Sequence, residues 1–141
     1  MNVLDALRSR DSRRIWAASW EVVLSRDEAL LVELAVRVAE IRAATRGVRL
    51  LGIMGNAPLA FALRKLDFYV ADHPCPCALY LSIDFYDPDR EASAGNVSSH
   101  EEVDADGRPT GTFRCACTLC GARYDVVRSE YHYPWWRWTP A

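Results

Sequence analysis

Apolar residues in the first part of the chain recur every three or four positions, which is the spacing of an amphipathic α-helix. Residues 3–7 predict a short helical turn, and Asp11 or Ser12 is placed to cap a second helix. The apolar positions of this second helix are Ile15, Trp16, Ser19/Trp20 and Val23. We therefore predict two successive helices, each with one face buried.

A longer helix should follow directly. Ser25 and Glu28 have the S-x-x-E spacing of a capping box, in which each side chain bonds a backbone N–H at the start of a helix. Its apolar positions lie along one face, at Leu30, Leu31, Leu34, Val38 and Ile41. Gly47 is placed to end it. Two helices joined by a few residues predict a helical hairpin.

The pattern changes after Gly47. Residues 48–54 form a short apolar run, which predicts either a buried strand or an extended link. Asn56 and Pro58 are placed at the start of a further helix, whose apolar stripe falls within 59–66.

Beyond that helix, aromatic and β-branched residues predict strands at 68–70, 78–86, 111–115 and 124–127. Asp106-Gly107 is a turn signal, and residues 87–96 have the composition of a loop. Helices followed by strands predict an α+β fold, with the helical hairpin and the further helix packed on a C-terminal antiparallel sheet. The length of 141 residues predicts one domain, 1–141, mainly helical over 1–66 and β-rich over 67–141.

Composition excludes several classes of function. The formal net charge of −2 gives no general affinity for nucleic acid or anionic membranes. No stretch approaches the roughly 20 apolar residues of a membrane span, and the first ten residues hold no apolar run of signal-peptide length. We therefore expect a cytoplasmic protein. In a reducing compartment, clustered cysteines are more often metal ligands than disulfides.

All five cysteines fall into two clusters. Cys75, Cys77, Cys117 and Cys120 predict four thiolates at one tetrahedral zinc ion in a closed, structural site. Cys115 and His73 are the alternative ligands, and a small buried hydrophobe is the alternative role of each thiol.

The sequence Cys117-Thr-Leu-Cys120-Gly121 resembles the zinc knuckle of zinc ribbons. The resemblance implies a tight turn between two strands that directs two sulfurs and nearby amides at one ion. The first pair differs from a ribbon, because it is C-x-C with a proline between the cysteines. Because Cys75 and Cys77 precede the predicted strand 78–86, we expect that strand to run antiparallel to strand 111–117, with 87–110 as an excursion at the far end.

No group of residues predicts catalysis. A redox C-x-x-C requires a helix after Cys117–Cys120, and the residues that follow have strand composition. His100 and Glu102 form the H-x-E of a zinc deaminase, but no proline precedes Cys117. The carboxylates within 84–91 are typical of a solvated loop, and His132 of a packed histidine. We expect a protein that is not an enzyme and has no catalytic residues.

Two stretches are candidates for partner binding. Seven carboxylates with a single arginine among them give 87–106 a net charge of −6: Asp87, Asp89, Glu91, Glu101, Glu102, Asp104 and Asp106. An acidic surface of this kind complements a basic cleft, although a solvated loop is the simpler alternative. The aromatic segment 131–138 is rich in Trp, Tyr and Arg, which suits either a binding hot spot or a core strand.

The sequence predicts a small, acidic chain with a helical hairpin, a metal knuckle and no catalytic group. In size and layout it resembles the immunity proteins of bacterial polymorphic-toxin systems, such as those of contact-dependent growth inhibition. The resemblance implies a cytoplasmic inhibitor of one cognate toxin, often acidic where the toxin is a nuclease with a basic active site. From its charge, we expect the stretch 87–106 to make that contact. The alternative is a zinc-ribbon module that binds nucleic acid or a transcription-related partner, for which Arg114, Arg123 and Arg128 lie near the knuckle.

Overall fold

The computed structural model describes residues 2–141, which form two compact units. The first unit extends to His73 and is helical, and the second begins at Pro74 and contains the sheet. The predicted α+β class is confirmed. No helix within 2–141 has the length and apolar character needed to cross a membrane.

The first unit contains five helices: α1 Val3–Arg8, α2 Ser12–Leu24, α3 Glu28–Ala35, α4 Val38–Thr45 and α5 Ala57–Phe68. Side-chain oxygens of Asn2, Asp11 and Asp27 accept a backbone N–H in the first turns of α1, α2 and α3, which satisfies donors that a helix start leaves open. Helix α2 packs mainly against α5 and α1, so it lies at the centre of this unit.

The prediction of a capping box at 25–28 is wrong. The residue that caps α3 is Asp27, whose carboxylate accepts from the Leu30 N–H at 3.2 Å. Ser25 instead ends α2 and receives the Asp27 N–H on its hydroxyl. The longer helix predicted here is divided between α3 and α4, because the Arg37 N–H bonds the Leu34 carbonyl in a tight turn.

Lys65 is a buried cation in this unit, with only 2% of its surface exposed. Its ammonium donates to the carbonyls of Val23 and Ser25, each at 2.7 Å. These carbonyls belong to the last turn of α2, where four C=O groups lack intrahelical partners. Lys65 therefore joins α5 to the end of α2.

The second unit holds a 3-10 helix Pro76–Leu81, helix α6 Pro88–Ser93 and four strands: β1 Val97–Val103, β2 Pro109–Cys117, β3 Arg123–Tyr131 and β4 Tyr133–Pro140. The strands form an antiparallel meander in the order β1-β2-β3-β4. Its buried face carries Val97, Phe113, Cys115, Tyr124, Val126 and Trp138.

The strand predicted at 78–86 is wrong, and with it the antiparallel pairing to 111–117. Leu81 is half exposed, so burial does not alternate. The buried positions within 78–86 are Leu79, Tyr80, Ile83, Phe85 and Tyr86. Pro76 fixes the backbone at the first turn, and the Ala78 N–H bonds the Cys75 carbonyl at 2.9 Å, which closes a 3-10 helix instead.

Two shorter predictions are also wrong. At 68–70 there is no strand, because Phe68 is the last residue of α5 and Tyr69 is its C-cap. Part of the loop at 87–96 is helix α6, which Asp87 caps by accepting the Asp89 N–H. Pro88 stands at the first helical position, where its missing N–H costs nothing.

Candidate metal centre

Four cysteines of the second unit lie together at one end of the sheet. The sulfur atoms of Cys75, Cys77, Cys117 and Cys120 all lie within 4.8 Å of one another. The Sγ atoms of Cys75 and Cys117 are 3.7 Å apart, and those of Cys77 and Cys120 are 3.5 Å apart. These are the four residues that the sequence singles out.

The knuckle is the connection between β2 and β3. Cys117 ends β2, and the Gly121 N–H returns to the Cys117 carbonyl at 2.9 Å to close the turn. Gly121 has φ of +78°, a left-handed conformation that strains residues with a Cβ. The Thr118 hydroxyl donates to the Gly95 and Asn96 carbonyls, which fixes the knuckle to the start of β1.

The other pair enters on the 3-10 helix rather than on a strand. Cys75 is its N-cap residue, Pro76 follows, and Cys77 occupies the next position. Pro76 has a fixed φ and lies between the two cysteines within one tight turn. The thiols of Cys75 and Cys77 both face the knuckle. This explains how a C-x-C pair with an intervening proline takes the place of a second knuckle.

Backbone N–H groups point at the sulfurs. Burial alone would raise the pKa of Cys117, but the N–H groups of Cys120 and Leu119 donate to its sulfur and lower that pKa to about 7. The Cys77 N–H donates in the same way to Cys75, although burial is the larger influence and raises the Cys75 pKa. A knuckle with inward amides stabilises thiolates, which are the metal-binding form of cysteine.

Tyr124 makes a contact with the cysteine cluster that the sequence did not predict. Its hydroxyl donates to the Cys77 sulfur at 3.0 Å. Burial, and then this hydrogen bond, raise the Tyr124 pKa, so the phenol keeps its proton at neutral pH and remains a donor. Burial raises the pKa of Cys77 to about 12 in the absence of a metal. The sequence indicated only that Tyr124 lies on the strand that follows the knuckle, and not that its hydroxyl reaches Cys77.

The spacing of the sulfurs suits a tetrahedral thiolate site. With metal–sulfur bonds of about 2.3 Å, the sulfurs of a tetrahedron are roughly 3.8 Å apart. The separations of 3.7 and 3.5 Å are close to this value. Disulfide bonds are absent from residues 2–141, and all five thiols are free.

The two alternative ligands lie outside the cluster. Cys115 is buried on β2, and its thiol contacts the Ser99 hydroxyl at 3.5 Å. In the first unit, His73 packs against the rings of Phe68 and Tyr69, and its Nε2 lies 3.5 Å from a carboxylate oxygen of Glu28.

No family model matches the chain, and neither the curated proteins nor the solved structures contain a match.

The seven carboxylates predicted to bind a partner have different environments. Glu91 is 4% exposed and accepts a hydrogen bond from the Tyr80 hydroxyl at 2.6 Å, so its carboxylate is inside the unit. Asp87 caps α6, and Asp104 accepts the N–H groups of Asp106 and Arg108 in the β1–β2 turn.

Glu101 accepts the Gly111 N–H at 2.9 Å, and Glu102 pairs with Arg114 at 2.8 Å. Within residues 2–141, only the carboxylates of Asp89 and Asp106, among these seven, make no hydrogen bond or ion pair. Burial, and then the nearby carboxylates of Asp87 and Glu101, raise the Asp89 pKa. The acidic stretch thus presents two free carboxylates and several that also stabilise the hairpin.

The aromatic segment 131–138 is divided between core and surface. Trp138 is 3% exposed, and its indole N–H donates to the Tyr86 carbonyl at 2.8 Å. Trp135 is half-buried and lies under the guanidinium of Arg137. His132 has φ of +68° in the turn between β3 and β4.

Proposed function

We propose that Cys75, Cys77, Cys117 and Cys120 hold a structural zinc ion. The observation that carries this proposal is the convergence of their four sulfurs within 4.8 Å of one another, with two of the separations, 3.7 and 3.5 Å, close to those of a tetrahedral thiolate site. Four protein ligands leave no open coordination position for a substrate, which distinguishes structural from catalytic zinc. The ion would join the turn before the 3-10 helix to the β2–β3 turn, two segments far apart in the chain.

The test is elemental analysis of protein purified without chelators. We expect about one zinc per chain, since closed thiolate sites bind zinc tightly at neutral pH. Cobalt substitution should give the intense absorption of tetrahedral thiolate coordination. A preparation that contains no zinc, cobalt or iron, and that takes up none on addition, would contradict the proposal.

We also propose that the protein acts by binding a protein partner and not by catalysis, as a cytoplasmic immunity protein that neutralises a cognate bacterial toxin. The support is the acidic β1–β2 hairpin, where Glu102, Asp104 and Asp106 lie near the turn. Carboxylates on a hairpin can occupy a basic nuclease cleft in place of substrate phosphates. With Glu91 buried, the other six carboxylates carry this contact.

Arginines near the knuckle bear on the alternative, a zinc-ribbon module that binds nucleic acid. Arg114 pairs with both Glu102 and Asp125, and Arg128 pairs with Glu130. Phosphate binding requires cations that are free to replace counterions. Two of the three arginines already have carboxylate partners, which favours a protein partner over nucleic acid.

The decisive experiment is co-purification with the product of the adjacent gene. Asp89→Lys and Asp106→Lys reverse two exposed carboxylates that make no hydrogen bond or ion pair within residues 2–141, and Glu33→Lys reverses an exposed charge in the helical unit as the matched control. Close charge pairs couple by ~1.5–7 kcal/mol, so the first two changes should weaken binding and slow association, whereas the control should not. Added salt should mimic them. Equal affinity of all three variants for a confirmed partner would exclude the acidic surface.

A further inference from the structure

One cysteine of the metal centre differs from the other three in exposure. Cys77 and Cys117 are buried and Cys75 is half-buried, whereas Cys120 is exposed. The neighbouring Leu119 is 72% exposed, so the tip of the knuckle is open to solvent. Small solutes can therefore reach the Cys120 sulfur more easily than any other sulfur of the site.

The hydrogen bonds to the four sulfurs are also unequal. Cys75 and Cys117 receive backbone N–H groups, and Cys77 receives the Tyr124 hydroxyl. Within residues 2–141, the hydrogen-bond partners of the Cys120 sulfur are the neighbouring thiols of the cluster, Cys77 at 3.5 Å among them.

This difference has a chemical consequence once zinc is bound. Four thiolates and one Zn²⁺ carry a net charge of −2, and hydrogen-bond donors spread that charge away from the sulfurs they contact. A sulfur without such donors keeps more electron density and is the stronger nucleophile. Exposure and electron density therefore favour reaction at the same sulfur.

On the basis of the zinc site proposed above, we propose that Cys120 is the residue that soft electrophiles of the α,β-unsaturated carbonyl class modify, and that this modification releases the metal. The Cys120 sulfur donates an electron pair to the β-carbon, a sulfur–carbon bond forms, and the α-carbon takes a proton from water. The zinc–sulfur bond breaks, because the product is a neutral thioether. Three thiolates then remain, and the closed site has lost a ligand.

N-ethylmaleimide, an unsaturated imide, is the probe. The zinc-loaded full chain is treated with one equivalent, the labelled cysteine is located by mass spectrometry, and zinc release is followed with a chromogenic chelator. Cys120 should react roughly tenfold faster than each of the other cysteines, as expected for the accessible thiolate. Zinc should appear at the rate of that labelling.

Two variants serve as controls. Cys115→Ser removes a buried thiol outside the cluster and should change neither rate. Tyr124→Phe removes the donor to Cys77 and keeps the ring, so labelling at Cys77 should rise relative to the parent while Cys120 remains the first site.

The outcomes separate the two proposals. If the parent protein binds no zinc, the metal site itself is wrong. If zinc is bound but another cysteine is labelled first, or all four react together, the assignment of Cys120 is wrong. Labelling of Cys120 without zinc release would show that the thioether does not open the site, which also contradicts the inference.

Discussion

At the scale of single residues, the candidate metal centre has one polar contact inside an aromatic cluster. Tyr124 donates to Cys77, and its ring meets Trp138 edge-on at 5.7 Å. Trp138 stacks on Tyr80 at 4.1 Å between ring centroids. The packed rings therefore fix the position of the Tyr124 hydroxyl. The hydrogen bond to the Cys77 sulfur is thus made by a side chain that is itself held rigidly.

The ligands can be distinguished from the fifth cysteine by substitution. Cys117→Ser removes a proposed ligand and should lower zinc affinity by more than about a hundredfold, since loss of a single outer-shell hydrogen bond to a ligand already costs about 10- to 100-fold. Cys115→Ser is the matched change on the same strand and should leave zinc content unchanged. Competition with a chelator of known affinity measures both. Equal losses would place Cys115 in the site.

At the scale of elements, the ends of helices are joined by charged side chains. Lys65 bonds the last turn of α2 from within α5, as described above. Arg42 of α4 and Asp67 of α5 form a two-pronged pair with distances of 2.8 and 2.5 Å. The Lys65 contact is buried, whereas the Arg42–Asp67 pair is half exposed. The two should therefore contribute different amounts to the free energy of unfolding.

Lys65→Met keeps the length of the side chain and removes its ammonium group. Two carbonyls at the end of α2 then lose a charged donor, and unsatisfied buried groups cost about 1–3 kcal/mol each. We expect a decrease of that order in the free energy of unfolding, measured by urea denaturation. Arg64→Met, at the exposed neighbouring position, is the control. A stability equal to that of the parent would mean that water replaces the ammonium.

The Arg42–Asp67 pair predicts a pH dependence of stability. Hydrogen bonds from Arg42 lower the Asp67 pKa in the folded state. The contribution of the pair is therefore fully present above the ordinary carboxyl pKa of about 3.9 and is lost as the pH falls through the lower folded value. Because both side chains are exposed to solvent, Asp67→Asn should cost at most about 1 kcal/mol at pH 7.

Urea denaturation of the parent and of Asp67→Asn at several pH values measures this contribution. The difference between the two proteins should vanish at the lowest pH. A difference that persists there would show that the amide disturbs packing rather than charge.

At the scale of the whole molecule, the two units are stabilised by different kinds of interaction. The unit that ends at His73 is organised around α2 with an apolar core, whereas the unit from Pro74 joins its first segment to the β2–β3 turn through four thiols. A bound metal stabilises the folded state according to its affinity and free concentration. With the proposed zinc bound, the stability of the second unit should therefore depend on the metal, whereas that of the first should not.

Hydrogen exchange with and without a chelator tests this dependence. Removal of the metal should accelerate exchange most at 75–81 and 115–124, since these segments contain or adjoin the ligands. The amides of α2, stabilised by apolar packing, provide the internal reference. Equal acceleration throughout 2–141 would indicate that the metal controls global unfolding instead.

The α+β class, the helix stripes and the four clustered cysteines follow from local patterns, because period, composition and ligand spacing are properties of neighbouring residues. The structure at 78–86 did not, since its apolar positions suit a strand and a 3-10 helix alike. The turn at Pro76 starts the 3-10 helix, and Tyr80 and Ile83 are both buried in the tertiary structure. The burial of Glu91 and the Tyr124–Cys77 contact depend on residues 11 and 47 positions away. Such contacts form only when the tertiary structure brings the partners together, so no pattern along the chain records them.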